Sequence, residues 1–314
     1  KPKGAMLTHA SYLWVARAIA EHVEMTSADR FLCILPLFHV NAQVVTTLAP
    51  LVAGASMALM RNFSPIEMLE TLARTGATAF SAVPTVYAIL NDTPGAERYD
   101  LSRLRFCICG AAPMPVEVFE RFERRFRATI MEGYGLTEGT CASSINPLDR
   151  RKVGSIGVPL AGQEMRIADG EIVIRGPNVM RGYYKDPEAT AAAIRDGWLH
   201  TGDLGRVDED GYFTIVGRKK EMIIRGGENV YPKEVEEVLY THPAVAEAAV
   251  VGLPDPKWGE EVAAFVVLRG AASPDELMAF CRERLADYKC PKTVTFREAL
   301  PKTATGKIQK HLLR

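Results

Sequence analysis

The sequence predicts a large α/β domain carrying a small β subdomain, followed by a smaller α+β domain. Three observations predict it. Between residues 1 and 140, helical periodicity alternates with short apolar runs, the pattern of helices layered on a largely parallel sheet. From about 150 to 217 the runs become short and β-branched, separated by Gly, Pro and Asp. From 221 onward helix and strand patterns mix again, and 314 residues exceed the roughly 250–300 at which a single core stops growing. The division expected is therefore 1–217, with the β subdomain at about 150–217, then a hinge at 218–220 and a second domain at 221–314.

In chain order, residues 12–20 read as helix, 30–35 as strand, 65–75 as helix and 78–83 as strand. Residues 115–127 read as helix with Pro115 at its first position. Glu117 and Glu120 come early in that helix and Arg121, Arg124, Arg125 and Arg127 late, as the helix dipole favours. Residues 129–132 complete the first set as a strand. In the middle region, 171–175, 203–207 and 212–216 read as strands, and Asp210-Gly211 marks a hairpin turn. The stretch 217–232 reads from its residues alone as a flexible linker, because Gly226-Gly227 bends freely. Helix is expected at 233–240 and 274–287, and strand at 246–251, 262–268 and 293–297. Ser273 and Glu276 form a capping box around Pro274.

Composition narrows the function. Lys and Arg number 38, Asp and Glu 38, for a formal net charge of zero, which argues against a nucleic-acid binder working through a basic field. No apolar run reaches the roughly 20 residues of a membrane span. Six cysteines without paired metal spacing suit a reducing, cytoplasmic compartment. The chain begins at Lys1 without Met or a leader pattern, so a piece of a longer protein is expected.

Four segments carry chemistry. Lys1-Pro2-Lys3-Gly4 places cations beside glycine, which suits phosphate, although such a fragment is common in surface turns. Glu132-Gly133-Tyr134-Gly135-Leu136-Thr137-Glu138-Gly139 combines close backbone approach, an aromatic face for a base, and hard oxygens suited to Mg²⁺. Asp203 and Arg218, at the two ends of one β unit, offer a carboxylate for ribose hydroxyls and a guanidinium, with a simple turn former as the other reading of Asp203. Finally, 300–307 is a Gly-containing loop tipped by Lys307, which can bring an ammonium to an oxygen whose charge grows in a transition state, or can be a solvated tail.

Together, in this order and along the whole length, these segments resemble the AMP-forming adenylating superfamily of acyl-CoA synthetases, firefly luciferases and nonribosomal adenylation domains. Gly217-Arg218-Lys219-Lys220-Glu221-Met222-Ile223 and Arg225-Gly226-Gly227-Glu228-Asn229-Val230-Tyr231-Pro232 look most like the acyl-CoA synthetases, the fatty-acid–CoA ligase type. The resemblance implies that a carboxylic acid attacks the α-phosphate of Mg-ATP to give acyl-AMP and pyrophosphate, and that the thiol of coenzyme A then displaces AMP.

By that resemblance, Tyr134 stacks on adenine and Gly110, Ala111 and Ala112 line the base. Glu132, Gly133, Gly135 and Lys3 belong to the nucleotide site. Thr137 touches phosphate, Glu138 holds Mg²⁺, and Asp203 and Arg218 take the ribose. Lys307 stabilises charge during adenylation, Lys220 is the pivot of the mobile second domain, and Gly226 and Gly227 line the path of coenzyme A. Read without the family, 110–112 is a strand-to-helix turn. His39, in Pro36-Leu37-Phe38-His39-Val40-Asn41, borders the acyl pocket by resemblance, or is a hydrogen-bonded core histidine.

Departures from the pattern carry expectations too. The Ser/Thr/Gly-rich phosphate loop that normally precedes Pro2-Lys3-Gly4 lies outside the sequence, which implies an N-terminally truncated member. The link 166–171 is shorter than the family's usual loop. Gly133 stands where malonate-specific relatives carry arginine, which favours an uncharged acyl or aryl carboxylate. Two alternatives stay open: an adenylating enzyme that loads a carrier protein, and a non-catalytic nucleotide-binding remnant.

Overall fold

A computed structural model describes residues 3–110, 114–303 and 306–314. The chain divides into two compact units. The first comprises the chain up to Thr201 with Gly205–Ile215, and the second comprises Gly202–Leu204 with Val216–Arg314.

The first unit is built on α1 (His9–His22), β1 (Arg30–Cys33), α2 (Val40–Gln43), α3 (Ala49–Val52), β2 (Ser56–Leu59), α4 (Pro65–Thr75), β3 (Ala79–Ala82), α5 (Pro84–Asp92), β4 (Phe106–Cys109), α6 (Val116–Phe126) and β5 (Thr129–Tyr134). Two short strands follow, β6 (Ser144–Ile145) and β7 (Val158–Pro159), and the sheet order is β2-β1-β3-β4-β5-β6-β7. The first five strands are parallel; β6 and β7 add in antiparallel fashion. Successive strand residues face opposite sides, and both sides are covered, which is why these strands read as unbroken apolar runs. Leu32, Phe80, Cys107 and Ile130 pack under α4, α5 and α6 through Met68, Leu72, Tyr87, Leu90 and Phe122. Phe31, Ala79, Phe106 and Met131 pack under Val15, Ala16 and Ile19 of α1.

Pro115 differs from expectation. It is the N-cap of α6 with extended ψ of 132°, one position before the helix. The acidic-to-basic gradient along that helix is present as read, with Glu117 in its first turn and Arg124 and Arg125 in its last. Between α2 and α3 the chain forms a π-helical segment, Val44–Leu48, where the Thr46 and Thr47 hydroxyls both donate to the carbonyl of Ala42.

The middle region holds β8 (Glu164–Ala168), β9 (Glu171–Arg175), α7 (Pro187–Ala193), β10 (Ile194–Arg195), β11 (Trp198–Val207) and β12 (Phe213–Arg218). Its sheet runs β10-β11-β9-β8, with β12 beside β11. The link from β8 to β9 is a two-residue turn, Asp169 and Gly170, both at positive φ, and it closes the pair in full register from Glu164↔Arg175 to Ala168↔Glu171. β11 starts five residues before the strand expected at 203. The division between the two units passes through both strands of the β11–β12 hairpin.

The second unit contains β13 (Ile223–Arg225), β14 (Glu228–Val230), α8 (Pro232–Tyr240), β15 (Val245–Asp255), β16 (Gly259–Leu268), α9 (Pro274–Arg282) and β17 (Thr293–Phe296). Strand order is β14-β13-β16-β15, with β17 parallel to β16. Ile223, Val250, Val262 and Ala264 bury one sheet face against Val235 and Leu239 of α8 and Leu277 and Cys281 of α9. Ala249, Val251, Ala263 and Phe265 bury the other against Leu300 and Leu313. The stretch read as a flexible linker is a hairpin, because Gly226 and Gly227 at φ of 60° and 90° make the tight turn between β13 and β14. The capping box at Ser273 and Glu276 starts α9 as expected, but the helix stops at Arg282, and only a single 3₁₀ turn, Asp287–Lys289, continues the pattern.

Candidate functional site

Seven expected residues, Gly110, Glu132, Gly133, Tyr134, Gly135, Thr137 and Glu138, lie at or just after the carboxyl ends of β4 and β5, where open parallel sheets bind ligands. Cys109 pairs with Glu132, so Gly110 leaves β4 beside Gly133, and a methyl group on Gly110 would meet the Gly133 carbonyl at 3.3 Å and the Asn41 side-chain nitrogen at 3.8 Å. Ala111 and Ala112 lie outside the described residues. Asn41, which the sequence reading quoted only as the end of a segment, is buried, and its Oδ1 has no hydrogen-bond partner among the described residues.

After β5 the chain folds back on itself. A side chain at Gly135 would place its first carbon 1.4 Å from the Cys141 carbonyl oxygen, so only glycine fits. Thr137–Gly139 forms one 3₁₀ turn, and Thr140 and Cys141 follow at φ of 50° and 96°, a strained pair for side-chain-bearing residues. The buried Thr140 hydroxyl meets Ser11 Oγ at 3.2 Å and donates to the Asn178 carbonyl at 2.6 Å, while Asn178 Nδ2 donates to the Gly139 carbonyl at 3.0 Å. These bonds hold the strained turn. Tyr134 is nearly closed off, packed with Ile156, Ile172, Leu199 and Phe213. The Glu132 carboxylate accepts from the Gly154 amide at 3.0 Å, which ties the strand to the loop before β7.

Lys3 and Glu138 meet through a residue the sequence reading passed over. Residues 4–6 lie antiparallel to 181–184, with Met6 N donating to Gly182 O, Arg181 N to Met6 O and Tyr184 N to Gly4 O at 2.7–3.0 Å. This pairing puts the Lys3 ammonium 4.6 Å from the Tyr183 ring centre, while the Tyr183 hydroxyl donates to Glu138 Oε1 at 2.7 Å. Burial, and then the bond to Glu138, push the Tyr183 phenol well above the usual tyrosine range, so it stays a donor. Thr137 is exposed and Glu138 half-buried. Among the described residues no three His, Cys, Asp or Glu side chains cluster as a metal cage. A single carboxylate of hard oxygens fits Mg²⁺ shared with phosphates, which keeps most of its ligands outside the protein.

His39 is half-buried and caps α2. Its Nδ1 accepts from Asn41 N at 3.2 Å, which leaves the proton on Nε2. Gln43 fastens the same turn by donating to the Leu37 carbonyl at 2.8 Å and accepting from the Tyr12 hydroxyl at 2.7 Å.

The second unit brings three further residues together. Arg218 Nε donates to the buried Asp203 Oδ1 at 2.8 Å, and Lys219 N donates to Gly202 O at 2.9 Å, so the base of the hairpin is closed by a charged pair. Burial lowers the Lys307 ammonium below the usual lysine range; the Arg218 guanidinium lowers it further and the Asp203 carboxylate opposes both. These opposing effects make Lys307, Arg218 and Asp203 electrostatic neighbours. Lys220 is exposed in the turn after Arg218. Gly226 sits against an indole, where a methyl group would fall 2.7 Å from Trp258 Cε3. Arg225 lies over the same ring at 4.9 Å and pairs with Glu261 at 2.6 Å.

Comparison with known proteins identifies the family. Residues 1–184 match the model of the AMP-binding enzyme family, and 234–307 that of the AMP-binding enzyme C-terminal domain. The chain is 43% identical over 329 residues to a long-chain-fatty-acid–CoA ligase of Bacillus subtilis (strain 168), covering 99% of this chain and 59% of that protein. It is 43% identical over 331 residues to a feruloyl-CoA synthase of Amycolatopsis sp, covering 100% of this chain and 67% of that protein. The crystal structure of ATP-bound MatB from Rhodopseudomonas palustris superposes with a TM-score of 0.94 at 34% identity, over 99% of this chain and 65% of the other. The chain thus spans about three fifths to two thirds of the length of these relatives. With family models matched over 1–184 and 234–307, and relatives 43% identical over the whole chain, this chain belongs to the AMP-binding enzyme family.

Proposed function

We propose that this chain is part of an AMP-forming acyl-CoA synthetase. A carboxylate oxygen attacks the α-phosphorus of ATP and pyrophosphate leaves; the thiol sulfur of coenzyme A then attacks the acyl carbonyl, AMP leaves and the thiol proton is lost. The observation that carries the reading is the Arg218–Asp203 pair, 2.8 Å apart, with Lys307 held half-buried in the same unit and its ammonium lowered by burial and by Arg218. A half-buried ammonium in the field of a carboxylate and a guanidinium suits a nucleoside monophosphate, with Asp203 accepting from the ribose hydroxyls and Lys307 meeting the α-phosphate charge. Such a cation contributes most where charge develops in the transition state.

In the first unit, Lys3, Tyr134, Gly135 and Thr137 bind nucleotide, and Gly110 borders the base. Glu132 serves the site by holding the loop at Gly154. Glu138 holds Mg²⁺, which when bound neutralises phosphate charge. His39 lines the acyl pocket. In the second half-reaction Gly226 and Gly227 line the thiol's path, and Lys220 is the pivot that retires Lys307 first. An uncharged acyl or aryl acid is the substrate class, since Gly133 brings no cation. Among the described residues no helix is long and apolar enough to cross a membrane, and we place the enzyme in the cytoplasm, in keeping with six free, buried thiols.

The test is Lys307→Ala in the full-length protein. Loss of one charge-stabilising donor costs roughly 10²–10³ in rate; we expect that loss in acyl-adenylate formation, with thioester formation from supplied acyl-adenylate largely kept. Equal loss in both half-reactions sinks the assignment. Thioester appearing only with a carrier protein, and none with free coenzyme A, would replace the acceptor.

A further inference from the structure

The segment that bears Lys307 is anchored by a second lysine three residues on. Lys302 and Ile308 form an antiparallel bridge, Thr303 N donates to Lys307 O at 2.8 Å, and Lys307 N donates to Thr303 Oγ1 at 3.1 Å. Gln309 closes the base: its amide donates to Pro301 O at 2.8 Å and its side chain to Lys302 O at 2.9 Å. Backbone bonds of this kind shape a hairpin but do not fix where it stands. Two ion pairs do: Lys302 with Glu247 of β15, and Lys310, whose ammonium lies 2.7 Å from Glu236 Oε1 and 3.4 Å from Glu221 Oε2 with 19% of its side chain exposed and which alone reaches both α8 and the turn at Glu221.

Each carboxylate is itself held. Glu236 projects from α8, and its Oε1 also accepts from Val250 N of β15 at 2.7 Å, so the ion pair is rooted in the core of the unit. Glu221 lies one residue after Lys220, in a turn closed by its own amide donating to Arg218 O at 2.9 Å. Arg218 is the electrostatic neighbour of Lys307. One ammonium therefore joins the segment that carries Lys307, the core helix α8, and the turn that carries Arg218. Burial alone would lower the Lys310 ammonium, but Glu236 and then Glu221 outweigh it and hold it above the usual lysine range, so the tether stays charged.

We propose that Lys310 is a positioning residue for Lys307, a three-way tether that fixes the root of the lysine-tipped loop against α8 and the turn after Lys220. The proposal rests on the adenylation role given to Lys307 above. A merely stabilising ion pair would, on removal, loosen the whole unit; a positioning tether loosens this loop and slows only the step that Lys307 serves.

The experiment uses Lys310→Met and Lys310→Arg in the full-length protein. Hydrogen exchange of the amides at 301–309 is expected to rise at least about tenfold in Lys310→Met, by roughly 1.4 kcal/mol of lost protection, with α8 and β16 unchanged. Acyl-adenylate formation should fall by up to about 10²-fold, the cost of a misplacement of about 1 Å, at unchanged KM for ATP. Thioester formation from supplied acyl-adenylate should be retained, and Lys310→Arg should recover most of both effects. Unchanged exchange at 301–309, or equal loss in the two half-reactions, overturns the proposal. Should Lys310→Met not fold, Glu221→Gln removes only the longer contact and is expected to act in the same direction more weakly; no change at 301–309 in that variant also overturns it. Faster exchange in a protein whose unmutated form makes no acyl-adenylate would overturn the function assigned to Lys307 and leave the tether standing.

Discussion

In the role proposed for it, the Lys307 ammonium works only while protonated, and its surroundings shift the pH at which it loses the proton. Burial and Arg218 lower its titration, so the alkaline limb of acyl-adenylate formation is expected at a lower pH than an ordinary lysine, near 10.4, would give. Asp203 opposes that lowering, so Asp203→Asn should move the limb further down, read as a rate profile at saturating ATP; a limb that stays in place would separate Asp203 from Lys307. Asp203→Ala should also weaken AMP binding in calorimetry. At the other cluster, Tyr183→Phe keeps the ring beneath Lys3 but leaves Glu138 Oε1 without its phenol donor. A hydrogen bond to a charged group contributes about 1.5–3 kcal/mol, and a matching fall in the urea midpoint at constant slope is the expected result. Asp203, Glu138 and Lys307 stand out in the sequence because each lies in a motif whose residue types announce charge or phosphate. Tyr183 and Asn41 do not, because their importance comes from partners far along the chain, Glu138 in one case and Gly110 in the other.

At the level of elements, the turn 135–141 is the most constrained piece of the site. Gly135→Ala drives a methyl into the Cys141 carbonyl, so its cost should exceed the roughly 1–3 kcal/mol of ordinary overpacking, measured by denaturant unfolding together with loss of AMP binding. Ser273→Ala, at the capping box of α9, should cost about 1 kcal/mol and leave nucleotide binding intact. The helix starts read correctly, that of α4 behind Ser64-Pro65 and that of α9 behind Ser273-Pro274, carry their signals in adjacent residues. The β13–β14 hairpin was missed because two adjacent glycines signal freedom as readily as a tight turn, and only pairing from Ile223↔Val230 to Arg225↔Glu228 distinguishes them. Pro115 was placed one residue too far into α6 because proline suits both positions, and its extended ψ decides for the cap.

For the molecule as a whole, each unit has its own core, one centred on Phe80, Tyr87 and Phe122 and the other on Val235, Val250 and Leu277. Residues 216–314 expressed alone should therefore unfold cooperatively on heating; a featureless melt would show that they need the remainder of the chain. The sequence pattern changes near residue 217, but it carries no sign that the boundary passes through a hairpin, because strand pairing is non-local. All six cysteines are buried, four in the first unit (Cys33, Cys107, Cys109 and Cys141) and two in the second (Cys281 and Cys290). A thiol-reactive dye should thus stain the native protein hardly at all, and mass-resolved labelling under rising denaturant should give two separate clocks, one ticking for each half of the chain.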